Sequence, residues 1–220
     1  MWSMKNRWQA GCKTVAKELF KGSILFGPVP AVLVTTVDLA GKVNVFTVGW
    51  TGVACSHPPL VTLAVRRQRL SYENIKATGE FVINLTTREM VKMTDFCGCR
   101  SGRTVDKIKH FGMELEPGST IAVPSLTKSP VALECTVRSV AELGSHDLFI
   151  AEIVGNKVEK SLIDQNGTIQ LGRANLLAYC HGEYFSLSRQ PLGSFGYSVA
   201  KKAVRQARHH RRYAPSKIKK

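Results

Sequence analysis

The chain has 220 residues, 44% of them hydrophobic, which suits one domain with a sizeable core and excludes an intrinsically disordered protein. Its formal net charge is +15, and nine of the cations stand in residues 201–220 with no acid among them. Subtracting nine from fifteen leaves +6 on residues 1–200, so the body is mildly basic and the tail strongly so.

No apolar run approaches the ~20 residues that span a bilayer. The basic N-terminus lacks a continuous apolar stretch and does not read as a secretory signal, so a cytoplasmic location is expected. Cys12, Cys55, Cys97, Cys99, Cys135 and Cys180 match neither a zinc framework nor a disulfide scaffold. Reduced thiols and no metal site are expected. The chain divides into one domain over residues 1–200, with a lead-in segment at 1–21, and a basic tail at 201–220.

The lead-in carries a possible short helix from Thr14 to Phe20. After the breaker cluster Gly27-Pro28-Val29-Pro30, residues 31–37 are rich in β-branched side chains and predict a buried strand. A turn at 38–42 leads to a second strand, Val43 to Trp50, and Pro58-Pro59 precedes a third, Leu60 to Val65. Ser71 is a plausible N-cap of a helix over Tyr72 to Ala77, with Asn74 in the capping-box slot and Gly79 as the stop. A strand from Glu80 to Leu85 follows. A helix capped by Thr86 or Thr87 then runs to about Thr94, a loop covers 97–103, and a short helix spans Val105 to Phe111. Asp106-Lys107 and Glu73-Asn74 read as ordinary helix surface. Residues 117–130 are rich in turn formers. Two long alternating strands, Val131 to Ala141 and Asp147 to Val158, form an antiparallel pair. Leu176 to Cys180 is a last strand. Short hairpin-like strands with helices between them favour a small β-barrel over a doubly wound sheet, and no GxGxxG follows the first strand.

The most informative stretch is 44–84. Thr47-Val48-Gly49-Trp50-Thr51-Gly52 offers small residues and one indole to a flat ring. The third strand ends in Arg66-Arg67-Gln68-Arg69, just before a helix start, where a helix N-terminus and cations favour a phosphate. This reads as a flavin phosphate site. Each part has an ordinary alternative. Clustered arginines are usually solvated, Trp50 alone suits a core, and Asn84 at a strand end suits a turn. Alternation sends Arg66 and Arg69 in different directions. Cys55 and Ser56 offer hydrogen bonds to ring heteroatoms. His146-Asp147 lacks a nearby nucleophile, so it has little support as an acid–base pair. Without a recognisable catalytic motif, a cofactor must carry any chemistry.

Taken in order, PVPAVLVTT (28–36), NVFTVGWTGVACSHPPL (44–60), SYENIKATGEFVINLTT (71–87), TDFCGCRSGRTVDKI (94–108), SPVALEC (129–135), ELGSHDLFIAEIV (142–154) and AYCHGEYFSL (178–187) resemble the flavin reductase-like FMN-binding split-barrel proteins, in particular their flavoredoxin branch. The resemblance implies a mainly β, Greek-key split β-barrel with peripheral helices, non-covalent FMN, and a homodimer with sites near the subunit interface. It implies that Thr47, Val48, Gly49, Trp50 and Thr51 flank the isoalloxazine, with Cys55 and Ser56 beside it. Arg66, Arg69, Ser71 and Tyr72 would surround the phosphate, and Asn84 would support the ring edge. His146 matches a histidine near the nicotinamide approach. His57 departs from the family, which more often has Asp before Pro-Pro, and the tail after Lys201 lies beyond the matching blocks. The function implied is hydride or electron transfer through FMN, with NAD(P)H or a redox protein as partner. A nucleic-acid-binding module acting through the tail is the competing class, ranked lower because the body offers few aromatics for stacking; a flavin store without turnover is a third.

Overall fold

The computed structural model describes residues 15–22, 24–188 and 190–199. The tail at 201–220, Cys12, Thr14 and the rest of the segment before Val15 lie outside the described residues. Residues 15–20 form no helix. Val15, Leu19 and Phe20 are exposed, so an amphipathic helix here has no surface on which to bury its apolar face.

The strands are β1 (Val29–Pro30), β2 (Val32–Val37), β3 (Val43–Val48), β4 (Thr51–Ser56), β5 (Pro59–Val65), β6 (Glu80–Leu85), β7 (Leu115–Glu116), β8 (Ser125–Leu126), β9 (Val131–Leu143), β10 (His146–Val158), β11 (Leu177–Cys180) and β12 (Glu183–Ser186). The α-helices are α1 (Leu70–Thr78), α2 (Val91–Cys99) and α3 (Lys107–Phe111). Seven strands form one sheet in the order β3-β2-β6-β9-β10-β5-β4. Its neighbouring pairs are all antiparallel.

Every residue of β2 is buried. One face, Val32 and Val34, joins Phe46, Leu63, Val65, Phe81 and Phe149 in the barrel interior. The other face places Leu33 with Val45, Met90, Cys97 and Leu126, beneath α2. A strand covered on both sides loses its alternation, which is why β2 reads as a continuous apolar run. Cys97 belongs to this second cluster, and burial pushes its thiol up to about 11. α2 therefore continues through Cys97–Cys99, which the sequence reading assigned to a loop.

Other expectations are corrected. The predicted strand Val43 to Trp50 ends at Val48, bends at Gly49-Trp50, and gives way to β4. β4 is an edge strand whose middle three residues are exposed, so it carries no alternation to read. Ser71 is not the N-cap of α1; Arg69 is. Ser71 is buried, and its Oγ accepts from Thr36 Oγ1 (3.1 Å) and Asn44 Nδ2 (2.8 Å). Asn74 is also buried and donates to Thr36 Oγ1 (3.1 Å). Asp106 caps α3 by accepting from the Lys109 N–H (3.0 Å), and Lys107 is buried with its Nζ on the Arg100 carbonyl (3.2 Å). Gly79 does end α1, in the left-handed conformation (φ 72°), donating to the Ile75 carbonyl (2.8 Å). The predicted last strand, β11, continues through a turn at His181-Gly182, both with positive φ, into β12, which had not been expected.

β9 and β10 are each 13 residues long and pair along nearly their whole length. A fully buried carboxylate, Glu134, ties β9 to the 117–124 connection. It accepts from the N–H groups of Ser119 and Thr120 (both 2.7 Å) and from Thr120 Oγ1 (2.5 Å). Burial alone would raise its pKa, but these three donors and Lys157 outweigh it and hold the carboxyl below its ordinary range.

Candidate functional site

β5 runs antiparallel to β10 with Val65 opposite Asp147, so the end of one strand lies beside the start of the other. The turn after β5 closes through an Arg69 N–H bond to the Arg66 carbonyl (3.0 Å). This turn brings the two arginine side chains round to the same side. With Phe46 to Trp50, Ala64, Val65 and His146 they line one cleft of about 310 Å3. Alternation had predicted that Arg66 and Arg69 diverge. It stops applying at Val65, the last strand residue, and Arg67 is the one that turns away.

One end of the cleft is cationic. Arg66 is exposed, and Arg69 stands half-buried at the N-cap of α1, whose N-terminus has no side-chain cap. Orphan N–H groups and two guanidinium groups therefore meet at one place. Elsewhere the lining is aromatic. The Trp50 and His146 rings lie 4.3 Å apart between centroids, tilted by 40°. His146 Nδ1 is 2.9 Å from Ser145 Oγ. Partial burial, then repulsion from Arg66 and Arg69, lowers the His146 pKa from its ordinary 6.5, so the imidazole is neutral at pH 7. The small residues Gly49 and Ala64 complete the lining.

Behind this wall lies a second cluster that sequence reasoning missed. Asp147 points to the opposite side of β10 from His146, and its carboxylate is 1% exposed. It accepts from Arg67 Nη2 (2.9 Å) and Nε (3.0 Å) at Oδ1, and from Tyr72 Oη (2.7 Å) at Oδ2. Arg67 Nη2 also reaches Glu142 (2.9 Å). The Tyr72 ring packs edge-on against Phe149 in the core, 5.6 Å between centroids. The Arg67 and Tyr72 hydrogen bonds hold the Asp147 carboxyl below its usual range. His146 and Asp147 thus form no acid–base pair.

Of the residues singled out by sequence, Thr47, Val48, Gly49, Trp50, Arg66, Arg69 and His146 line the cleft. The Thr47 hydroxyl donates to the Thr94 carbonyl, which ties β3 to α2. Thr51, Cys55 and Ser56 lie on β4, outside the cleft lining; Thr51 Oγ1 donates to the Thr62 carbonyl (2.6 Å), and Cys55 Sγ is 3.4 Å from the His57 carbonyl. Ser71 and Tyr72 stand behind the cationic end, spent on the bonds given above. Asn84 is fully buried, donating to the Leu33 carbonyl (3.1 Å) and accepting from the Leu126 N–H (2.8 Å). Phe46, Ala64 and Val65 were missed. The small Ala64 between Leu63 and Val65, facing away from the barrel interior, was the available signal. Among the described residues no group of three or more His, Cys, Asp or Glu is placed to hold a metal ion, and no helix is long and apolar enough to cross a membrane.

Asp147 and His146 bind protons less readily in the fold than in the unfolded chain. The unfolded state then takes up more protons on acidification, so stability rises with pH through both windows. The expected urea midpoint is level between about pH 7 and 8, declines as pH falls below about 6.5, and declines again below about 4. A midpoint that rises on acidification would contradict these assignments.

A protein-family model described as the flavin reductase like domain matches residues 27–188. Among solved structures, the flavoredoxin of Desulfovibrio vulgaris (Miyazaki F) superposes with a TM-score of 0.76 at 27% identity, covering 82% of this chain and 98% of that one. The flavoredoxin of Methanosarcina acetivorans superposes with a TM-score of 0.75 at 25% identity, covering 84% and 100%. The expected split-barrel architecture is therefore the one found. In sequence, a protein of Archaeoglobus fulgidus is 33% identical over 113 residues, which are 51% of this chain and 64% of that relative. The chain thus spans less than two thirds of that relative's length.

Proposed function

Because the chain belongs to the flavin reductase like family, we propose that it is an FMN-binding flavoprotein, moving hydride or electrons through non-covalently held FMN. The observation that carries this reading is the convergence of Arg66, Arg69, Trp50 and His146 on one cleft beside an uncapped helix N-terminus. Two guanidinium groups and orphan N–H groups suit a phosphate, while the aromatic Trp50 and His146 beside small residues suit a planar ring; the donor set fits the cofactor's two ends.

When bound, FMN supplies the redox chemistry. The protein's part is to bind and orient. Arg66 and Arg69 hold the phosphate, with Ser71 and Tyr72 fixing the first turn of α1 from behind. Thr47 to Trp50 would receive the ring, while Thr51, Cys55 and Ser56 stand beyond the cleft lining on β4 and Asn84 holds β2 and β6 in register. Neutral His146 places no positive charge against an approaching nicotinamide. The cationic lining also favours the extra negative charge of a reduced flavin. The partners proposed are a second copy of the chain, bound through the exposed β4 edge where Val53 is 81% exposed, and NAD(P)H or a redox protein in the cytoplasm. The matched family and both flavoredoxins favour this reading, and the nucleic-acid reading has no counterpart among them.

The purified protein is expected to be yellow, with about one FMN per subunit. Bleaching of that absorbance by NADH or NADPH would mark a reductase; bleaching only by a reduced protein partner would mark an electron carrier. A colourless protein that takes up no added FMN would overturn the reading.

A further inference from the structure

We infer that Asp147 is a positioning residue for the phosphate end of the cleft, acting through Arg67. This rests on the flavin phosphate reading above. Three arginines crowd into the four residues after β5. Left free, they would repel one another, and only the backbone bond from Arg69 to the Arg66 carbonyl would hold the turn. Asp147 removes one from the contest. Its buried carboxylate grips Arg67 through two guanidinium nitrogens, and Tyr72 adds a bond from the first turn of α1. Bidentate charge-assisted contacts of this kind impose direction as well as attraction. A single carboxylate therefore locks the turn to α1 on one side and to β10 on the other. Arg66 and Arg69, on either side of Arg67, are left facing the cleft with their charges uncommitted to it. His146, the residue before Asp147 on β10, is fixed by the same strand.

Two effects of Asp147 on a phosphate have opposite signs. As a negative charge near the site it repels the phosphate, so its removal should tighten FMN binding. As the anchor of the arginine turn it presents the cations, so its removal should weaken binding. The geometry points to the second effect as the larger, because the carboxylate is turned away from the cleft and already neutralised by Arg67.

The test compares FMN and riboflavin affinity by flavin fluorescence titration in the wild-type chain, Asp147→Asn and Arg67→Gln. The expected result is an FMN affinity about tenfold lower in Asp147→Asn, with riboflavin affinity unchanged. Arg67→Gln should show the same loss, and the double variant no further loss, because both act through one contact. Tighter FMN binding in Asp147→Asn, or equal losses for FMN and riboflavin, would overturn the proposal. Should Asp147→Asn fail to fold, Arg67→Gln decides alone, since its half-exposed guanidinium is not part of the core. A wild-type chain that does not distinguish FMN from riboflavin would instead refute the flavin phosphate reading itself.

Discussion

Replacing Arg66 by Ala is expected to weaken FMN binding about tenfold or more, and replacing Arg69 should do the same. A charge-assisted hydrogen bond to a phosphate contributes roughly 1.5–3 kcal/mol, and about 1.4 kcal/mol corresponds to a factor of ten in affinity. Both side chains line the same cleft, so the double variant should lose on the order of a hundredfold if the two contacts are independent. Riboflavin, which lacks the phosphate, should bind the wild type much more weakly than FMN and should be nearly indifferent to either substitution. A second readout needs no flavin. Arg66 and Arg69 both depress the His146 pKa, so each substitution should let that pKa climb back towards 6.5 in an NMR titration. Equal affinity for FMN and riboflavin, together with an unmoved imidazole, would remove the arginines from the site.

How far such a site can be read from sequence depends on which forces place it. The cores of β2, β5, β6, β9 and β10 were legible because burial leaves an apolar pattern in consecutive residues. β4 was not, because an exposed edge strand leaves none. The region of the cleft was legible from small residues, one Trp and a run of arginines. Its geometry was not, because it is set by the backbone turn closing at Arg69 N–H to Arg66 O, which reverses what strand alternation predicts. The fate of Arg67 was beyond reach for another reason. Its partner Asp147 is 80 residues away, and the pairing exists only once β10 has docked on β5. Lys107 and Asn74 show the opposite failure: polar residues on short helices read as surface, yet both are buried and hydrogen-bonded.

Glu134→Ala should cost about 3–5 kcal/mol of folding stability. The carboxylate is wholly buried and is the acceptor for three donors, the Ser119 and Thr120 N–H groups and the Thr120 hydroxyl. Alanine would leave them facing a gap, and each buried unsatisfied donor costs roughly 1–3 kcal/mol. Lys157, whose Nζ lies 3.9 Å from Glu134 and 3.4 Å from Glu116, would lose part of its charge balance as well. For a chain of this size the loss corresponds to roughly 10 °C in Tm. Thr120→Val, which removes one donor and leaves the backbone bonds, should cost clearly less. Gly155→Ala tests the same tie from the other side. A Cβ there would sit 3.0 Å from Thr120 Oγ1 and 3.1 Å from a Glu134 carboxylate oxygen, tight enough to push the pair apart. The tie lies in the 117–124 connection, among none of the residues that line the cleft, so FMN affinity measured well below Tm should hold while the unfolding midpoint drops. A Glu134→Ala protein within about 1 kcal/mol of the wild type would mean that the 117–124 connection repacks or hydrates freely, and that this carboxylate is not what fastens it to β9.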